Sequence, residues 1–295
     1  MTGEPDRFSV DWLSLREGAD SRARATALTR GLGDRLRART GARALTVLDL
    51  GAGAGNNLRY LAPLLGGPQR WRLVDADAAL LARAAAAPPL GVTVETVQAD
   101  LAQGLAPDLA HGLAPDFTQG RAPEVAPGLT HGLAPLLQPR PDLVTASALI
   151  DLCGAAWLDG LAASLAAAGL PALIVLSYDG RQAWDPPHAD DTAVIEAFHA
   201  DQRRDKGLGP ALGPGAHAAL AATLAERHGF EVTEAASDWD LRAATDGALI
   251  AALAEGTADA AAAALGPRAA TWGRARRDAA AARVGHRDLL AWPPG

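Results

Sequence analysis

Residues 47–57 read VLDLGAGAGNN. Val47, Leu48 and Leu50 form a short aliphatic run, the pattern of a strand buried on both faces. Asp49 interrupts that run, and Gly51, Gly53 and Gly55 follow at every second position. A glycine-rich bend between a strand and a helix lets bare backbone approach a bound group. The spacing is G-x-G-x-G, whereas a dinucleotide fold expects G-x-G-x-x-G, whose third glycine lets the helix pack on the strand. The acid discriminates further. A carboxylate at the end of a buried strand is costly unless a cation meets it, so Asp49 repels a pyrophosphate and attracts an ammonium.

On either side of this bend, strand-like and helix-like stretches alternate. Leu45–Leu50 reads as the first strand, and Leu58, Leu61, Ala62 and Leu65 then recur at helical spacing up to Gly66-Gly67-Pro68. Trp71–Val74, Val92–Val97, Leu143–Ala148 and Leu173–Leu176 read as strands two to five. Helices are expected at Leu80–Ala86 and Trp157–Ala168. Such alternation implies parallel strands joined by right-handed helical crossovers. Further on, Phe230–Ala235 and Trp239–Leu241 are expected to pair as the last two strands, and the final fifty residues to be an alanine-rich helical extension. Glycines recur every eight residues at Gly104, Gly112, Gly120 and Gly128, where GLAPDLAH nearly repeats as GLAPDFTQ and GRAPEVAP. These breakers suit an expanded surface loop over 103–139. The organisation expected is a helical cap over 1–40, a ligand-binding α/β domain over 41–245 and a helical extension over 246–295.

Bulk properties narrow the function. The 295 residues carry a net charge of -7, which argues against a general nucleic-acid binder. Cys153 is the only cysteine, so no intrachain disulfide and no cysteine zinc site can form. The opening MTGEPDRFSVDW has acids and no apolar core of a secretory signal. Gly160–Tyr178 is uncharged and long enough to span a membrane, but Gly169-Leu170-Pro171 divides it into a helix and a buried strand. A soluble, cytoplasmic protein is expected.

Two more acids end strands. Asp75 lies where a carboxylate accepts both hydroxyls of a ribose, a position an NAD fold shares. Asp100 can accept from an adenine amine. Both also suit helix caps, as does Asp77. Ammonium, ribose and adenine together describe S-adenosylmethionine. At these residues the chain resembles the class I S-adenosylmethionine-dependent methyltransferase family over about residues 40–240. VLDLGAGAG is similar to its glycine motif, LVDAD to its ribose acid, VQADL to its adenine-side acid and PDLVTASALIDL to its fourth strand. The resemblance implies a doubly wound α/β fold with a seven-stranded, mostly parallel sheet of order 3-2-1-4-5-7-6 and helices on both faces. It also implies a cofactor site of Asp49, Gly51, Ala52, Gly53, Gly55, Asp75, Ala76, Asp100, Leu101 and Ser147. Arg16 is a candidate to cover that site and hold the cofactor carboxylate, or a surface helix charge.

The same resemblance puts the methyl acceptor after strands four and five. Asp151 and Tyr178 are the catalytic candidates there, with helix capping and core packing as their alternatives. Arg203, Arg204 and Lys206 either grip an acidic small-molecule acceptor or form a charged helix end. The DPPH sequence at 185–188 follows strand five rather than four, so a DNA-base reading is rejected. A metal at His188, Asp190 and Asp191 is not expected. Oxygen and nitrogen acceptors both stay open, and so does the oligomeric state. A nicotinamide-dependent oxidoreductase and a non-catalytic partner protein are the alternative functions.

Overall fold

The computed structural model describes residues 9–101, 133–205 and 207–295. Eight strands form one sheet: β1 (Leu45–Leu50), β2 (Gln69–Asp75), β3 (Val92–Gln98), β4 (Leu143–Ser147), β5 (Ala172–Asp185), β6 (Glu231–Ala236), β7 (Trp239–Arg242) and β8 (Ala281–Trp292). Their spatial order is β3-β2-β1-β4-β5-β8-β6, with β7 pairing with β8 off that path. The first five strands are parallel; β8 runs antiparallel to β5, β6 and β7. This is a Rossmann-like doubly wound sheet, as expected.

Burial on both faces explains the aliphatic runs. Leu48 and Leu50 of β1 face one core with Val144, Ala146 and Ile174. Leu45 and Val47 face the opposite core with Trp71 and Leu73. Helix α1 (Val10–Ala23) is followed by α2 (Thr26–Thr29) and α3 (Leu32–Thr40), and the crossovers are α4 (Asn56–Leu65), α5 (Ala78–Ala85) and α6 (Ala155–Ala168). The apolar stretch tested for a membrane span divides into α6 and β5, as its Gly-Leu-Pro break predicts.

The C-terminal reading needs correction. The seventh sheet position, between β5 and β6, is filled by β8 rather than by Trp239–Leu241. Strands β6 and β7 do not pair with each other; both pair with β8. The last segment is therefore a central strand and not a helical extension. Only α9 (Ala243–Leu265) and α10 (Pro267–Arg276), inserted between β7 and β8, match the helical expectation. The charges in β8 disguised it. Asp288 is 1% exposed and accepts from the backbone N–H groups of Leu176 and Ala25, while Arg283 reaches Asp238 at 2.7 Å. Arg276 of α10 is buried beside Asp191 at 3.1 Å.

Around the insertion a third core gathers Trp184, Trp239 and Trp272 with Leu249, Ile250 and Ala254 of α9. Helix α9 is, among the described residues, the one helix long and apolar enough to cross a membrane; one side of it packs into this core. Of the octapeptide loop, residues 102–132 lie outside the described residues. Its end does not stay on the surface: Leu136 and Leu137 are buried, and Arg72 donates to the Leu136 carbonyl at 2.7 Å.

Candidate cofactor and acceptor site

At the C-terminal end of β1 the chain bends through Gly51, Gly53 and Gly55, whose φ angles are +64°, +52° and +82°. Gly55 is further constrained, because a Cβ there would lie 2.9 Å from the Cβ of Ala84 in α5. Its absence lets the start of α4 approach α5. The bend is clasped by Asp75, whose carboxylate accepts from the N–H of Gly53 at 2.8 Å and of Asp77 at 2.9 Å. Asp77 caps α5, accepting from Ala79 and Leu80. Asp75 is therefore not the helix cap, and each of its oxygens keeps a lone pair.

Alternation along β1 points Asp49 into an otherwise apolar face. The residue is fully buried. Oδ1 accepts from Asn57 Nδ2 at 2.9 Å, whereas Oδ2 has no partner. Burial pushes its pKa up to about 7; the Asn57 hydrogen bond and the Arg24 charge oppose the rise, and the Asp75 charge adds to it. A buried polar network supports Asn57. It also donates to Thr145 Oγ1 at 3.1 Å and accepts from Arg24 Nη1 at 2.9 Å. Arg24 is itself buried 3.7 Å from Asp288, and burial lowers its pKa.

Helix α1 lies over the bend. The Leu13 side chain sits 3.3 Å from where a Cβ on Gly53 would be, and Asn56 donates to the Leu13 carbonyl at 2.8 Å. Arg16, however, is not on the bend. It pairs with Asp20 through two hydrogen bonds of 2.9 and 3.2 Å and lies 5.0 Å over the Trp239 ring.

Beside the bend, a cavity of about 1150 Å³ opens beyond the ends of β4 and β5. Its walls include Asp151, Tyr178, Arg16 and Arg204, so it gathers residues that the sequence scatters. Two non-glycine residues on the wall, Ala148 and Leu176, adopt left-handed backbone at φ +51° and +54°. Such strain gathers at functional positions. Tyr178 is 6% exposed, and its hydroxyl meets His199 Nε2 at 2.8 Å and Gln182 Nε2 at 3.1 Å. Burial raises the phenol above its ordinary range. The Cys153 thiol is raised likewise by burial, first, and by the Asp151 charge, which makes it inert.

The other candidates are dispersed. Ser147 ends β4, half-buried; Asp100 is exposed just past β3. Ala52 donates to the Val74 carbonyl, Ala76 accepts from Gln98, and Leu101 accepts from Trp157 Nε1. Neither Asp49, Asp75 nor Asp100 lines the cavity, whereas Asp151 and Tyr178 do, so the candidate residues fall into two groups. Arg203 is exposed and off the lining; Arg204 is paired with Asp201 at 2.9 Å. Lys206 lies outside the described residues. Around DPPH, Asp191 accepts from His188 N–H and from Trp272 Nε1, fastening a loop. Among the described residues no three His, Cys, Asp or Glu side chains are grouped to hold a metal.

Sequence reasoning missed His286. It stands in β8 opposite Tyr178, 5% exposed, on the cavity wall with Nδ1 unpartnered. Burial, then the Arg16 charge, brings its pKa down to about 3, so the ring is neutral. The only available signal was a histidine between glycine and arginine in GHRD, within a segment read as helical.

No protein-family model matches the chain, and neither does any curated protein. Solved structures similar to it include a cyclopropane-fatty-acyl-phospholipid synthase-like protein from Lactobacillus casei, at 16% identity over 92% of this chain and 98% of that one, TM-score 0.44. Another is the plantazolicin methyltransferase BpumL in complex with SAH, at 11% identity over 96% and 88%, TM-score 0.42. A third is human N-acetylserotonin methyltransferase in complex with SAM, at 12% identity over 76% and 48%, TM-score 0.36. At these identities the likeness is one of fold.

Proposed function

We propose that this protein is a soluble, cytoplasmic methyltransferase that uses S-adenosylmethionine to methylate oxygen or nitrogen of a small molecule. The observation that carries the reading is Asp49: a fully buried carboxylate under a glycine bend, with Oδ2 lacking any partner. Such an atom is costly unless a donor completes it, and a cofactor ammonium is a donor that also favours the ionised form. Asp75, with a lone pair left on each oxygen, suits a ribose diol. Asp100, exposed just past β3, is the acceptor we assign to the adenine amine. When bound, S-adenosylmethionine supplies a methyl group already activated on a sulfonium. The chain's part is then to align the acceptor, exclude water and receive a proton where one must leave. Asp151 and Tyr178 line the adjoining cavity. Tyr178, protonated and held by His199 and Gln182, is suited to orient an acceptor rather than to deprotonate it.

Isothermal titration with S-adenosylhomocysteine tests the reading. Saturable binding is expected, weakened about tenfold or more by Asp75→Ala, which removes two ribose acceptors. Heat on titrating NADH, and none with S-adenosylhomocysteine, would instead favour the oxidoreductase.

A further inference from the structure

The cavity walls carry a chemistry that the methyltransferase reading does not itself specify. Among the described residues lining it, the carboxylates are Asp151, Asp201, Asp205 and Asp259, and the guanidinium groups are Arg16 and Arg204. Arg16 pairs with Asp20 outside the lining and Arg204 with Asp201 inside it, so among the described residues the lining carries more carboxylates than guanidinium groups. Trp12, Tyr178, Phe198 and Trp239 supply aromatic surface. Ring faces attract cations as well as apolar groups.

Independent of charge, buried polar atoms on this wall lack partners. Gln202 is 8% exposed and Thr257 1% exposed, and Gln202 Oε1 and Thr257 Oγ1 have no hydrogen-bond partner; the same holds for Gln182 Oε1. They belong to residues of α7 (Asp191–Gln202), α9 and β5, three separate elements of the wall. A native fold rarely leaves buried acceptors idle without a donor to fill them.

We propose that the acceptor is a small amine carried as a cation, with an apolar ring-bearing body, and that it is methylated on nitrogen. This rests on the methyltransferase reading. Carboxylates would take the ammonium N–H groups, and the aromatic walls would take the body. One N–H proton passes to solvent. The nitrogen lone pair then forms the N–C bond as the methyl's C–S bond breaks with its pair going to sulfur. The products are the N-methylated ammonium, the thioether and that one proton.

The test uses the full chain and isothermal titration with two probes of nearly equal shape, phenethylamine and 3-phenylpropionate, in parallel with S-adenosylhomocysteine. The amine is expected to bind about tenfold more tightly than the acid. In the doubly substituted Asp205→Asn, Asp259→Asn protein, both sites being exposed, that preference should fall several-fold. Equal binding, tighter binding of the acid, or no binding of either at about 10 mM overturns the proposal. If S-adenosylhomocysteine binds and the amine does not, the acceptor class fails alone. If the amine binds and S-adenosylhomocysteine does not, the methyltransferase reading fails while the preference for amines stands.

Discussion

Asp49 holds its proton to about pH 7 because no water reaches it and a single amide donor compensates it. An unfolded chain releases that proton near 3.8. Between those values the folded state binds the extra proton, so Asp49's contribution to stability is full below about pH 4 and is lost as pH rises through 7. Asp49→Asn keeps an acceptor toward Asn57 and removes the cost of the buried charge. Its melting temperature should exceed that of the parent at pH 8, by an upper bound on the order of 4 kcal/mol in stability, and the gap should close by about pH 4. Binding runs the other way. An ammonium ligand requires the ionised carboxylate, so the dissociation constant for S-adenosylhomocysteine should rise as pH falls below 7, by up to about tenfold per pH unit, and should lose that dependence in Asp49→Asn. Titration at pH 5.5, 6.5 and 7.5 reads both slopes. Thr257 gives a matched case on the acceptor side. Its hydroxyl is buried without a partner, so Thr257→Val should stabilise the protein by about 1 kcal/mol in urea melts.

At the scale of elements, legibility divides along the sheet. Strands β1, β2 and β4 and the first half of β5 are buried on both faces, and that condition alone writes aliphatic runs such as LTVLDL and LIVL into the sequence. Asp49 and Asp75 were legible for a related reason: an acid at a strand end stands out against its apolar neighbours. Strand β8 is just as central, yet its polar residues are matched by distant partners, Asp288 by the Leu176 and Ala25 amides and Arg283 by Asp238. No local period records partners that lie 45 to 263 residues away. His286, carried by β8, and Thr257, carried by α9, were hidden with the insertion that places them on the wall. Backbone strain is similarly silent. Ala148 holds φ +51° at the end of β4, and its N–H still donates to Val175. Ala148→Gly should relieve that strain and raise stability by about 1 kcal/mol, measured by chemical denaturation, with the bend and Asp75 untouched.

Across the whole molecule, one buried chain of polar groups joins the C-terminal strand to the glycine motif. Asp288 of β8 lies 3.7 Å from Arg24, Arg24 donates to Asn57, and Asn57 donates to Asp49. Arg24 and Asp288 are each 2% exposed at the side chain, and Arg24 also lies 4.4 Å over the Tyr60 ring. The positive charge of Arg24 lowers the pKa of Asp49. Arg24, in the segment after α1 and held beside Asp288 of the last strand, thus opposes the rise that burial imposes on Asp49. Arg24→Met keeps the length of the side chain and removes the cation. It leaves the buried Asp288 and Asp49 carboxylates without the cation that serves both, at a cost of about 3–5 kcal/mol. Because burial then acts on Asp49 without that opposing charge, the pH at which S-adenosylhomocysteine binding falls off should move upward. Adding Asp288→Asn removes the second stranded charge, so the double variant should recover part of the lost stability, a coupling visible in a double-mutant cycle. It should not restore the binding midpoint, since Asp49 still lacks its cation. A midpoint unchanged in Arg24→Met would break the electrostatic link between β8 and the bend and reduce this network to packing.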